Sequence, residues 1–403
     1  MKLVKRLLII LAILILLVLV GAAIFTALNP KMVSNMANIS NMRTDNVEEW
    51  ETTRVAVPGR RDDSKLISAE ASTLTADTLQ QLRDYHLQTS GLSIAVWNNG
   101  EIILEEYSDT LTADSRTASF SMNKSITGLV AATLDAEGAL SLDAPVSEVL
   151  EEWRNDDRGN ITLRQLLQHV TPIEVVSMSK PDFRTLEILT GDDIETAALG
   201  IPLVEGEIGF DYATINYQVA GAVIRRYTKN VYDQTYPEYL SKKIWQPIGA
   251  GDAWISSGKD NGIPRFYAGM QASLRDWLKI GLLIKDNGMS GEQQIIPKAA
   301  IDTLIEPSAG NPLYGLGVWL NAPADGSREY GPSTSVAVPH KEPYLADDVI
   351  FFDGFGGQRV YVVPSADLVV VRTSQADFAY DDSVILNLVL ADPAIASTQV
   401  APQ

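Results

Sequence analysis

The chain has 403 residues and a formal charge of −19, with an otherwise ordinary globular composition. Such acidity argues against nucleic acid as a partner, because the field of the whole surface repels phosphate. Without cysteine there is no disulfide framework, no thiolate zinc site and no lipidated cysteine, so the fold rests on packing alone.

Lys2, Lys5 and Arg6 precede an uncharged run from Leu7 to Leu28. As a helix this run would cover about 33 Å, the thickness of a bilayer's hydrocarbon. Its length favours a retained transmembrane anchor. Signal cleavage stays open as a second reading, since Gly21-Ala22-Ala23 offers small residues at a peptidase site. Either way the basic end stays in the cytoplasm and the rest is exported to the periplasmic or extracellular side. Asn29 to Ser72 is polar and lacks a sustained period, which reads as a tether that partly wraps the next domain.

Thr75 to Leu87 has the pattern of an amphipathic helix. Leu92 to Trp97 and Glu101 to Tyr107, joined through Asn98-Asn99-Gly100, form a β-hairpin pattern with an Asn-Gly turn. Ser121-Met122-Asn123-Lys124 then opens a helical stretch that ends at Gly138. Residues three apart share a helix face, so the motif sets a hydroxyl nucleophile beside an amine base. Orphan amides at the helix start favour developing negative charge, and burial depresses a lysine pKa. Ser177 to Lys180 and Ser256 to Lys259 fit the same pattern, but both run into turn residues, and only Ser121 opens a helix.

From Leu140 to Ile255 the pattern is mainly helical, including Ile161 to Val170, Ile215 to Tyr227 and Tyr236 to Ile244. His169 lies in the first of these stretches, where packing explains it better than general-base work. His86 and His340 sit in polar surroundings and read as surface residues. Tyr212, ahead of the second stretch, is either a proton-transfer phenol facing a cleft or one more buried tyrosine. Strand patterns return at Tyr314 to Asn321, Val349 to Phe352, Arg359 to Val363 and Leu368 to Thr373, and Asp382 to Leu390 suits a closing helix. Gly354-Phe355-Gly356-Gly357-Gln358 is either a glycine-rich turn or a place where backbone amides approach a ligand.

The expected fold is α+β: an antiparallel sheet built from both chain ends and flanked by helices, with an all-helical region inserted between them. The division is 1–28 for the anchor or signal, 29–72 for the tether and 73–395 for the domain. Within that domain the α/β part is about 73–139 and 256–395, and the helical part about 140–255. No Gly-x-Ser-x-Gly elbow, Walker loop or His-Glu-x-x-His is present.

From about Thr75 to Asp392 these segments resemble the serine β-lactamase and penicillin-binding protein superfamily, in its class C-like branch. Phe120 to Ser125, Leu166 to Thr171 and Phe210 to Tyr217 follow the family's order of motifs. Lys243 to Trp254, Leu274 to Trp277 and Gly356-Gly357-Gln358 look most like 6-aminohexanoate-dimer hydrolase and its esterase-like relatives. The resemblance implies a groove between the two parts, with Ser121 as nucleophile, Lys124 as base and Tyr212 as proton-transfer partner. It further implies an oxyanion hole from the backbone amides of Ser121 and Phe355, and substrate contacts from Thr214, Gly356, Gly357 and Gln358. The implied substrate is a small-molecule amide or ester, with no metal or organic cofactor.

Two departures bear on that substrate. Thr214 stands where the family's Tyr-x-Asn motif carries an amide, and no Lys-Thr-Gly is legible before Gly354, where the chain reads Ile350-Phe351-Phe352-Asp353. An acidic or apolar lip would not attract a carboxylate. A penicillin-interacting D-alanyl peptidase or weak β-lactamase is therefore the second reading, and a membrane-tethered binding protein without turnover is the alternative from another class.

Overall fold

The structure, a computed structural model, describes residues 43–50, 52–176, 183–191, 193–258, 262–321 and 326–396, with a few positions before residue 28. In chain order the strands are β1 (Arg54–Val57), β2 (Ile67–Ser68), β3 (Gly91–Asn98), β4 (Glu101–Tyr107), β5 (Arg116–Ala118), β6 (Ala253–Ser256), β7 (Met270–Ser273), β8 (Met289–Ser290), β9 (Gln293–Gln294), β10 (Trp319–Leu320), β11 (Gly326–Glu329), β12 (Ala337–His340), β13 (Ile350–Gly354), β14 (Gln358–Val363) and β15 (Leu368–Ser374). The main sheet has seven strands in the order β10-β13-β14-β15-β3-β4-β2, so both chain ends do meet in it. The β3–β4 hairpin turns at Asn99 and Gly100, whose φ values of 48° and 95° are those an Asn-Gly turn supplies.

Strand β15 is buried along its whole length because both faces of the sheet are covered. Val360, Val362, Val369 and Val371 face a large core that includes Trp277, Leu278 and Leu283 of the Leu274–Lys285 helix. Tyr361, Val363, Leu368 and Val370 face a second core, closed by Leu82 of the Ala76–Gln88 helix and by Ile385 and Leu386 of the Asp382–Leu390 helix. Gly281 lets the first of these helices lie against the sheet, since a Cβ there would stand 2.5 Å from Val369.

Several expectations change on contact with the structure. The main sheet is mixed, because the two-residue edge strand β2 pairs parallel with β4. Strands also occur in the middle of the chain, where β6 and β7 build a second sheet of order β1-β6-β7-β5; segments this short carry too little alternation to be read. The outer strand of that sheet, β1, comes from the stretch expected to be a tether and pairs antiparallel with β6. Tyr314 to Asn321 yields only the two-residue β10, because Gly317 turns the backbone at φ 84°.

The helix expected from Ile161 to Val170 shrinks to Leu163–Leu167, between a Thr162 capping box and His169 at φ 57°. His86 and His340 are buried rather than at the surface. The His86 ring packs against Gly91, and burial pushes its pKa down to about 3; His340 packs edge-on against Tyr344. Among the described residues no helix is long and apolar enough to cross a membrane. The run from Leu7 to Leu28 lies mostly outside the described residues, as does all of Ser177 to Lys180.

Candidate active site

The Met122–Ala136 helix passes through the molecule, with every residue from Met122 to Leu134 buried. Small residues make this depth tolerable. At Gly128 a Cβ would sit 1.7 Å from the carbonyl oxygen of Leu316, so that segment rests directly on the helix backbone. Ser121 occupies the N-cap, and its Oγ lies 3.0 Å from Nζ of Lys124, which realises the i, i+3 geometry read from the sequence. The residue before it, Phe120, is held at φ 47°, a left-handed conformation that costs a non-glycine residue about 1–3 kcal/mol and recurs at functional sites. Ser256, the start of a competing Ser-x-x-Lys pattern, lies instead at the end of β6 opposite Arg54.

Lys124 is 1% exposed and is held by a second bond to the carbonyl of Tyr267 at 3.0 Å. The preceding Asn123 donates to the carbonyls of Arg265, Phe266 and Ala268, so the loop that accepts from the lysine is itself fastened to the helix. Burial pushes the Lys124 pKa down to about 7, against a partial upward pull from the Asp353 carboxylate. An ammonium cannot accept a proton. If Lys124 is the base, activity will rise with pH and level off above an apparent pKa of about 7, measured as kcat/KM for an uncharged ester.

Tyr212 stands at the foot of the Thr214–Tyr232 helix. Three backbone bonds fix it: Asp211 N–H donates to the His169 carbonyl at 3.0 Å, Ala213 N–H to His169 Nδ1 at 3.1 Å, and Tyr212 N–H to the Tyr330 carbonyl at 2.9 Å. Its ring lies 4.5 Å from that of His169 and 5.1 Å from that of Tyr330, and Lys124 Nζ sits 4.5 Å from its centroid. Burial and the nearby Asp353 push the phenol pKa up, while a hydrogen bond with Ser121 pulls it down, so Tyr212 stays protonated and within reach of the nucleophile. His169 is fully buried, and burial holds it well below its ordinary pKa. It shapes the Tyr212 loop as a neutral ring.

Opposite Ser121 is the turn between β13 and β14. A Cβ at Gly354 would lie 2.3 Å from the Ser119 carbonyl, and the Phe355 ring meets that of Phe120 edge-on at 5.7 Å. Gly356 and Gly357 take φ values of 75° and 94°. The turn is supported from beneath: Arg359 donates to the carbonyls of Gly354 and Gln358, and Arg372 donates to that of Gly357. Among the described residues, neither the Ser121 nor the Phe355 backbone N–H has a protein acceptor. Two amides without a protein acceptor thus lie on Ser121 itself and on the turn that packs against Ser119 and Phe120.

The other residues expected to touch substrate are placed differently. Gln358 is turned inward, its amide spent on the backbone and hydroxyl of Ser374, so it orders the strands and offers no side chain to the cleft. Thr214 opens its helix half-buried. Two residues further on, the buried Asn216 accepts a hydrogen bond from Thr171.

A group that sequence spacing could not reveal completes the site. Asp353 of β13 and Asp382 of the closing helix enclose Arg328 and Arg359 in a buried quartet. Asp382 bonds Arg359 at 2.6 Å and Arg328 at 2.8 Å; Asp353 meets Arg328 at 3.2 Å and Arg359 at 2.6 Å. The Tyr330 hydroxyl also donates to Asp353. Burial raises the Asp353 pKa, but the two guanidiniums outweigh it and keep the carboxyl below its usual range.

A Ser-x-x-Lys pair with a buried lysine and a neighbouring tyrosine is the constellation of a serine hydrolase-type enzyme. Residues 75–392 match the family model described as Beta-lactamase, and the chain belongs to that family. This bears out the resemblance read from the motifs. Over 194 residues the chain is 29% identical to Protein flp of Staphylococcus aureus (strain COL), covering 43% of this chain and 38% of that one. The chain thus aligns with well under half the length of these curated relatives.

Among solved structures the fold matches a protein from Bacillus anthracis provisionally assigned as a 6-aminohexanoate-dimer hydrolase, with a TM-score of 0.65 and 18% identity over 88% of this chain and 91% of that one. A family VIII carboxylesterase matches with a TM-score of 0.57 and 19% identity over 82% of this chain and all (100%) of that one. A class C beta lactamase from Rhodobacter sphaeroides follows at 0.55 and 18%, over 81% and 100%. At these identities the likeness is one of fold: an α+β arrangement of mixed sheets and helices.

Proposed function

We propose that the protein hydrolyses an amide or ester through an acyl-enzyme on Ser121. The observation that carries this reading is the 3.0 Å contact between Ser121 Oγ and a fully buried lysine whose pKa lies near 7. Neutral Lys124 takes the hydroxyl proton as Oγ bonds to the carbonyl carbon, and the amides of Ser121 and Phe355 receive the oxyanion. Tyr212 gives its proton to the departing amine or alkoxide and regains one from Lys124. Water then enters by the reverse relay and releases the acid.

The neighbours' names span an amide-dimer hydrolase and a carboxylesterase, which supports an amide or ester substrate of that kind without choosing between them. Arg328 and Arg359, the guanidiniums beside the cleft, are both occupied by carboxylates, so neither offers a partner to an anionic substrate such as a penicillin. That keeps the peptidase or β-lactamase reading second. Export of the domain, by an anchor or a cleaved signal, rests on the Leu7 to Leu28 run alone.

The test is to react the protein with a 4-nitrophenyl ester, quench in acid during turnover and measure the mass of the peptide containing Ser121. The expected result is one acyl group on that peptide. Turnover with the acyl group on another residue, or with none trapped on Ser121 under saturating ester, would reject the proposal.

A further inference from the structure

The β11–β12 hairpin meets Tyr212 at every level of structure. Its residue Tyr330 accepts the Tyr212 N–H on its own carbonyl and packs its ring edge against the Tyr212 ring. Its hydroxyl is tied to Asp353, the carboxylate held by Arg328 and Arg359. Arg328, from the hairpin's first strand, lies over the rings of Trp319 at 4.2 Å and Tyr330 at 5.1 Å, and Trp319 stacks on Tyr212 at 6.1 Å. Next along, Gly331 takes φ 121°, and a Cβ there would stand 2.7 Å from Oδ1 and 2.9 Å from Cα of Asp211. Ser333 N–H donates to that same Asp211 at 3.3 Å.

We propose that Tyr330 is a positioning residue for Tyr212, and that the hairpin acts through it to hold the phenol where it can protonate the leaving group. This rests on the role given to Tyr212 above. Every covalent neighbour of Tyr212 is fastened either to His169 or to the hairpin, so the hairpin supplies half of the frame that fixes the phenol. The hydroxyl of Tyr330 matters because it pins the ring to a carboxylate that cannot move: Asp353 is itself held by two buried arginines. A phenol displaced by even a fraction of an ångström loses the alignment that general-acid catalysis needs.

The experiment compares two esters of the same acid in the full chain, one with a nitrophenoxide leaving group, which departs unaided, and one with an alkoxide, which needs a proton. Tyr330→Phe keeps the ring and the backbone bond and removes only the tie to Asp353. Gly331→Ala keeps all the side chains and pushes on Asp211. Both variants should lose about 10- to 100-fold in kcat/KM on the alkyl ester and only a few-fold in kcat/KM on the nitrophenyl ester, since kcat/KM ends at acylation and excludes the deacylation that the two esters share. Tyr212→Phe should show the same selectivity, and the Tyr212→Phe/Tyr330→Phe double variant should be no slower than Tyr212→Phe alone.

Equal losses on the two esters, or multiplying losses in the double variant, would overturn the positioning role and leave Tyr330 as packing. A Tyr212→Phe enzyme without leaving-group selectivity would instead overturn the acid role of Tyr212 itself, and the inference with it. Thermal unfolding of each variant separates these outcomes from simple loss of fold.

Discussion

Replacing Lys124 by methionine will lower ester hydrolysis by about 10³-fold or more and at the same time make the protein harder to unfold. The first effect follows if Lys124 removes the Ser121 proton. It should parallel Ser121→Ala, which is expected to abolish turnover and leave the fold intact. The second follows from the depth of the amine. Lys124 is 1% exposed, and its folded-state pKa of about 7 lies below the ordinary 10.5.

Below pH 7 the amine is charged in both states, and the folded protein carries the whole cost of burying it. Between about 7 and 10.5 the unfolded chain binds the extra proton, so that cost fades as pH rises; above 10.5 it is absent. The methionine variant should therefore exceed the parent by about 2–4 kcal/mol at pH 6, less the cost of stranding the Tyr267 carbonyl, and the gap should close toward pH 10. Urea unfolding at the two pH values reads it. A variant less stable than the parent at pH 6, or a gap that widens with pH, would show that Lys124 is held as a charge.

The buried quartet predicts the largest loss of stability. Asp382 bonds Arg359 through Oδ1 and Arg328 through Oδ2, and all three are fully or almost fully buried. Asp382→Ala leaves two guanidiniums sharing one carboxylate in a buried site, and should cost about 3–5 kcal/mol in a urea titration. Arg359 also holds the turn that carries Phe355, and Arg328 the hairpin that carries Tyr330, so hydrolysis should fall in the fraction that stays folded. A cost under about 1 kcal/mol would mean that the charges relax toward solvent and that the quartet does not brace the cleft. Exchanging all four residues for apolar ones of similar volume is a different experiment, since it removes the desolvation cost together with the attraction.

Ser121 and Lys124 were legible because one helical turn brings them together and the apolar stretch after them guarantees burial. Tyr212 was legible through the resemblance of its segment; its bonds to His169 and Tyr330 were not, because they join residues 44 and 118 positions apart on loops. The β3–β4 hairpin and the closing helix follow from local pattern. The strands β6 and β7 do not, since four-residue segments buried at all positions but Trp254 show no alternation. The quartet was the least accessible feature. Arg328, Asp353, Arg359 and Asp382 come from a hairpin, two strands and a helix start; singly the arginines are unremarked charges, Asp382 is a residue in the first turn of a helix, and Asp353 reads as part of a cleft lip and not as the buried partner of two arginines. Phe120 is similar: nothing in its side chain announces a left-handed backbone, which the close approach of Gly354 to Ser119 accompanies.

Strand β1 covers an edge of the four-stranded sheet that would otherwise be open to pairing between molecules. It covers β6 along four residues, from Arg54 opposite Ser256 to Val57 opposite Ala253, and it is followed at once by Pro58, which has no N–H to extend a ladder. Arg54 at the other end adds charge, so the open side of the four-stranded sheet is guarded at both corners. A chain shortened to begin near Ser72 would keep the whole family-matched segment and still lose this guard. The bared ladder of Ala253–Ser256 would then be a template for the same strand of another molecule, and self-association, ahead of any loss of chemistry, would be the mark of the shortened protein.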